Sequence, residues 1–191
     1  MSIVTDGKNE MLDALDVGNM SLHTAFPGVT GANEVTGGSY ARKAATIGAA
    51  SAGVRSLSSA VTLDVPACTV AWVGLWNAAS SGFRAYSPNG GSPKEFQVDA
   101  SVVRCPAHGY ANTQTVVFYG DTVPSPLVEG TVYYVRDATT DTFKVAASSG
   151  GTALTLTTAG GSGCVVSKIT LEVYGAAGTH TIATLSIGLP N

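Results

Sequence analysis

Charge is what this sequence has least of: 12% of its 191 residues are Asp, Glu, Lys or Arg, roughly half the share of an average soluble domain. The ten Lys and Arg residues are scattered and the formal net charge is −3. Without a local cluster of cations to hold phosphates, nucleic acid is not an expected partner. Long apolar runs are missing too. None approaches the ~18–20 residues that span a bilayer, and residues 1–10 are polar, so neither a membrane segment nor a secretion signal is expected. Three cysteines, Cys68, Cys105 and Cys164, are odd in number and widely spaced. That fits neither a disulfide framework nor a metal knuckle and points to synthesis in a reducing cytosol.

Catalytic equipment is equally sparse. The sequence has no G-x-S-x-G elbow, H-E-x-x-H helix, P-loop or paired C-x-x-C. His23, His108 and His180 are the only imidazoles. His23, beside Leu22 on a strand, reads as a hydrogen-bonded structural residue, His108 as part of a Pro-Ala-His-Gly turn, and His180 as facing solvent or a neighbour. Glu10, Asp13 and Asp16 read as the solvated face of a helix. Asp137 and Asp141 share a hydroxyl-rich loop, but two loop acids are too few oxygens and too little charge for a calcium site. Glu34 and Asp64 are available carboxylates that nothing in the sequence brings together. No catalytic, cofactor-binding or metal-binding residue is therefore expected.

What is present is 45% apolar residues, enough for a real core, under a surface that must be mostly Ser, Thr, Gly and Ala. Such a surface is weakly protected against self-association, which makes assembly the default role. One helix is expected over Gly7–Asp16, capped by Thr5 or Asp6, with Met11, Leu12 and Leu15 on one face. The rest alternates with a period of two. Val61, Leu63 and Val65 mark a strand with one wet face, ended by Pro66-Ala67. The run Thr69-Val-Ala-Trp-Val-Gly-Leu-Trp76 is apolar on both faces and reads as a central strand covered on both sides. Trp72 and Trp76 share one face of it, about 13 Å apart, and their apolar flanks favour packing over a sugar platform. Toward the end, Ile169, Leu171 and Val173 form one alternating run, and Ile182, Leu185, Ile187 and Leu189 a looser one.

Between these lies a segment of different rhythm, residues 100–166. Four short β-type runs, 115–119, 131–135, 142–146 and 153–157, follow one another with turn residues at near-regular spacing. The reading is an all-β protein with a short N-terminal helix. A β-sandwich or jelly-roll-like host, residues 1–99 and 167–191, carries an inserted small antiparallel β domain, 100–166. Cys105 and Cys164 stand at the two edges of the insertion, where a disulfide would need Cα atoms within about 7 Å. Tyr133 and Tyr134 point to opposite faces of their strand, one to the core and one to the surface.

The words Ser21-Leu-His-Thr24, Pro27-Gly-Val-Thr-Gly-Ala-Asn-Glu34, Gly37-Gly-Ser-Tyr-Ala-Arg42, Val61-Thr-Leu-Asp-Val-Pro66 and Val73-Gly-Leu-Trp76 together resemble a small β-rich virion protein of tailed bacteriophages, of the tail-fibre or minor tail type. In that family, strands like Glu95-Phe96 and Gly178-Thr179-His180 form two halves that run directly together. The insertion resembles a separate module of phage virion proteins through Gly130-Thr-Val-Tyr-Tyr-Val135 and Thr140-Asp-Thr-Phe-Lys-Val145. The resemblance implies a non-enzymatic structural protein of the virion, made in the host cytoplasm, with other virion proteins as partners. Capsid decoration and a glycan-binding receptor module stay open beside the tail-fibre reading. Self-association, as a trimer, is expected from the low-charge faces. The expected subunit or partner contacts are Glu34, Tyr40 and Arg42 on the Gly/Thr/Asn loop, and Tyr133 and Tyr134 on the insertion.

Overall fold

A computed structural model describes residues 3–188. Leu189, the last apolar residue of the expected terminal run, lies outside them. The chain is all-β apart from one short helix, α1 (Thr5–Asp13). The strands are β1 (Asn19–His23), β2 (Lys43–Ala44), β3 (Val54–Ser56), β4 (Val61–Val65), β5 (Cys68–Val70), β6 (Trp72–Trp76), β7 (Phe83–Pro88), β8 (Gln97–Asp99), β9 (Val102–Arg104), β10 (Thr115–Tyr119), β11 (Val132–Arg136), β12 (Thr142–Ala146), β13 (Val165–Lys168), β14 (Glu172–Tyr174), β15 (Gly178–Ile182) and β16 (Ser186–Gly188). They fall into two compact units, one of residues 1–86 with 172–191 and one of 87–171. The chain passes from the first unit to the second within β7. Phe96 and Val98 pack on the second unit's core.

In the first unit, a four-stranded sheet runs in the order β2-β1-β6-β7. The second layer is a long ribbon. β3, β4 and β5 pair antiparallel with β16, β15 and β14 in turn, so residues 54–70 run beside 172–188. The register steps by one residue between Leu57 and Val61, and steps back between Val65 and Cys68. Such steps are bulges, which let a twisted ribbon follow a curved core. β15 lies against β4, Gly178 opposite Val65 and Ile182 opposite Val61.

The first core forms between these layers. Met20 and Leu22 of β1, Val73 and Leu75 of β6, Val61, Leu63 and Val65 of β4 and Ile182 of β15 meet in it. The period of two explains the choice: alternate residues of each strand turn inward. β6 is buried along its whole length, because its other face is covered as well. His180 follows the same rule. Its side chain is turned inward and 4% exposed, not solvent-facing, because it is two residues from Ile182 on β15.

Helix α1 differs from its expected cap and face. It starts after Val4, with no side-chain capping bond. Leu12 is buried, whereas Met11 is 53% exposed. The helix is held from outside by Arg55, whose Nη1 donates to the carbonyls of Leu12 (2.8 Å) and Leu15 (2.9 Å). A cation at the carbonyl end of a helix also opposes its dipole favourably. Asp13 is not merely solvated, since its Oδ1 accepts the Ala50 N–H at 2.7 Å.

In the second unit, six strands pair in the order β13-β10-β11-β12-β9-β8. The ring closes on itself. Lys94, three residues before β8, exchanges backbone hydrogen bonds with Val166 of β13, 2.9 and 3.0 Å, so the segment 94–99 joins the two ends of the sheet. Closure removes free edges. Inside lie Val103, Val116, Phe118, Tyr133, Val135, Phe143, Val145 and Val166. Residues 153–157 form no strand; Leu156 still reaches the core, and Thr157 N–H bonds to Ser125 O at 2.8 Å. The two ends of the unit are clasped: Thr170 N–H donates to Asn89 O (2.8 Å), and Asn89 Nδ2 donates to Thr170 O (3.2 Å). All three cysteines are free, Cys105 and Cys164 within this core.

Candidate functional site

The outer face of β1 and β6 holds a polar and aromatic network assembled from the words singled out in the sequence. Antiparallel pairing sets Ser21 opposite Gly74, His23 opposite Trp72 and Asn19 opposite Trp76. Ser21, His23, Trp72, Gly74 and Trp76 therefore share the face turned away from Met20 and Leu22. Trp76 Nε1–H donates to Ser21 Oγ at 2.7 Å, and Ser21 Oγ lies 2.7 Å from His23 Nε2. His23 Nδ1 lies 2.7 Å from Ala32 O. A carbonyl only accepts, so Nδ1 carries the proton, Nε2 is the acceptor, and the Ser21 hydroxyl donates to it.

A serine donating to histidine has the geometry of a nucleophile and its base. Here both residues are 0% exposed and the serine oxygen is also occupied by the Trp76 indole. Burial lowers the His23 pKa, outweighing the Ala32 bond that raises it, so the ring is neutral. Gly74 is the space that makes the pair possible. A Cβ there would stand 2.4 Å from both His23 Nε2 and Ser21 Oγ, and 2.9 Å from Phe83.

The loop following β1 covers this face. It folds back so that Thr24 N–H bonds to Asn33 O and Val35 N–H to Leu22 O, each at 2.9 Å. Gly31, at φ +75°, passes the Trp76 ring so closely that a Cβ would sit 2.6 Å from it. Phe26 then packs edge-on against Trp72 (5.1 Å) and Tyr86 (5.2 Å), and Trp76 against Phe83 (4.8 Å). Both tryptophans are core residues, 1% and 6% exposed.

Three of the expected contact residues meet here. Glu34 receives Arg42 through Nε (2.9 Å) and Nη2 (2.7 Å) and accepts the Tyr40 hydroxyl at 3.1 Å. The Tyr40 oxygen also accepts Leu22 N–H at 2.9 Å, and burial pushes its pKa well above the usual phenol value. Arg42 lies over the Trp76 ring, and its Nη1 donates to Ala79 O at 3.1 Å. The Arg42 and Glu34 side chains are 15% and 18% exposed. Their polar groups are thus committed to one another and to the loop. In the second unit, Tyr133 is buried, its hydroxyl accepting Val128 N–H at 2.9 Å, and Tyr134 is the half-exposed member of the pair.

No group of three or more His, Cys, Asp or Glu side chains suited to a metal occurs among the described residues. Asp137 is bonded by Lys144, which with Arg136 lowers its pKa, and Asp141 accepts Ala107 N–H at 2.9 Å. Sequence reasoning did not name Ser21, Gly74 or Trp76 as one network. Their shared parity on two adjacent apolar strands is the signal that pointed to it.

The polar side chains of this face are thus bonded to one another and to the covering loop. In sequence comparison, residues 19–110 match the family described as podophage GP4 fiber I protein gp80. The match takes in the whole network and covers just under half of the chain, so over that stretch the chain is similar to a phage fibre protein. No curated protein and no solved structure matches it.

Proposed function

We propose that this chain is a non-enzymatic structural component of a tailed-phage virion, of the tail-fibre type, that works through contacts between subunits. The observation that carries the reading is the coincidence of the matched stretch with the network around Trp76. In that stretch the side chains with chemical potential, Ser21, His23, Glu34 and Arg42, are consumed in bonds that fix the loop 24–42. A low charge fraction, 12%, supports a surface that is covered when assembled. The test is location. Gold-labelled antibody against the purified chain, applied to intact particles, should decorate the fibres; label confined to the capsid shell would replace this reading with decoration, and no label on particles would remove the virion role.

A further inference from the structure

Strand edges in this chain are guarded to different degrees. β7, at one side of the four-stranded sheet, carries exposed Arg84 as its second residue and ends at Pro88, two usual ways of blocking further pairing. The second unit closes its sheet through Lys94 and Val166. The arm 172–188 has neither protection. Among the described residues, β14, β15 and β16 each have a strand partner on one side only. Over the whole arm there is no Lys, Arg or Pro, and Glu172 is the single acid. Val173 is 74% exposed, and Thr179 and Thr181 stand exposed on β15.

We propose that the free edge of β15 pairs antiparallel with the same strand of a second copy of this chain, about a two-fold axis near His180. This rests on the reading of the chain as a self-associating structural protein and names the surface it uses. The occupant follows from charge and symmetry. In antiparallel pairing, Thr179 faces Thr181 of the copy, an uncharged cross-strand pair of the kind that stabilises sheets. The two Glu172 carboxylates lie at opposite ends, about 50 Å apart at the rise of a strand. Parallel stacking of the same arms would set those carboxylates side by side. A two-fold contact uses one patch on both partners, so a neutral strand suffices for both halves.

The experiment is sedimentation velocity and light scattering on the full chain over a wide concentration range, with the double variants Thr179→Lys/Thr181→Lys and Thr179→Glu/Thr181→Glu. Wild type should form a dimer or a multiple of it. Each variant alone should associate about tenfold more weakly, since like charges then face each other in both cross-strand pairs. A mixture of the Lys and Glu variants should regain association, which also shows that both are folded. Variants that associate as strongly as wild type would overturn the edge while leaving self-association intact. Wild type that stays monomeric would overturn the second copy as occupant. If particles then still incorporate wild type and reject the variants, the edge belongs to a different virion protein.

Discussion

The guanidinium carbon of Arg42 lies 3.3 Å from the centroid of the Trp76 ring, while the edge of the same fork carries both bonds to Glu34. Stacking and bidentate pairing use different parts of one planar group, so neither displaces the other. The indole below turns its N–H to Ser21. One arginine thereby links the covering loop to the sheet beneath it.

Arg42→Ala should cost about 2–4 kcal/mol, because it removes the stack and leaves the Glu34 carboxylate part-buried without its partner. Arg42→Lys should recover only part, since an ammonium cannot form the fork. Urea unfolding followed by tryptophan emission reads both the midpoint and the altered surroundings of Trp76. A midpoint unchanged by Arg42→Ala would show that the loop is held by its backbone bonds alone.

Gly74→Ala tests steric room rather than backbone freedom. The added methyl meets backbone-anchored His23 and Ser21 at 2.4 Å, so the Ser21–His23 bond must break or β1 must part from β6. A loss of about 3 kcal/mol or more is expected. Gly109→Ala, where nothing lies within 4 Å but φ is +70°, should cost about 1 kcal/mol through backbone strain alone. Equal losses at the two sites would contradict the packing described for the network.

Acid should weaken the first unit through its two buried histidines. Burial lowers the pKa of His23 and of His180, for His180 against an opposing pull from Glu172. In the unfolded chain both titrate near the ordinary value of about 6.5. Above that pH both states are neutral and nothing is lost. Below it the unfolded state takes up protons that the folded state refuses, so stability falls as pH falls toward the lowered folded values. The slope is at most about 1.4 kcal/mol per pH unit for each histidine. Urea midpoints at pH 7.5 and 5.5 should differ in that sense, and the difference should shrink in His23→Gln. A midpoint that rises on acidification would reverse the assignment.

Arg55→Ala should release helix α1. The side chain bonds to the Leu12, Leu15, Gly48 and Ile47 carbonyls, and the helix has no side-chain cap of its own. A nine-residue helix is marginal without tertiary support. Amide exchange in residues 5–15 should become fast while that of the second unit is unchanged. Protection that persists in α1 would assign its docking to buried Leu12 and to Asn9, whose Oδ1 accepts Gly53 N–H at 2.8 Å, instead.

Legibility in the sequence depended on whether a residue's partner was near or far along the chain. β4 and β6 could be read because alternation and continuous apolarity are local records of one covered face and of two. Helix α1 was legible as a helix, but its retaining arginine lies more than forty residues away, and the favoured caps Thr5 and Asp6 contribute no capping bond. Glu34, Tyr40 and Arg42 were legible as special residues in a loop otherwise poor in charge. That they turn inward to one another depends on the return of the loop over β1, which no spacing encodes. β8 reads in sequence like any short strand; its pairing with β9 and the closure at Lys94 assign it to the ring.

The ribbon of the first unit has a consequence for the order of events during synthesis. Residues 54–70 leave the ribosome long before their partners 172–188, because the whole second unit is translated between them. At about 5–20 residues per second, β4 waits several seconds or more for β15. During that wait the second unit, with its own core, closed ring and clasped ends, can complete itself. The second unit can thus be complete before the first, and a chain truncated before residue 172 would have a folded second unit and an unfinished first one.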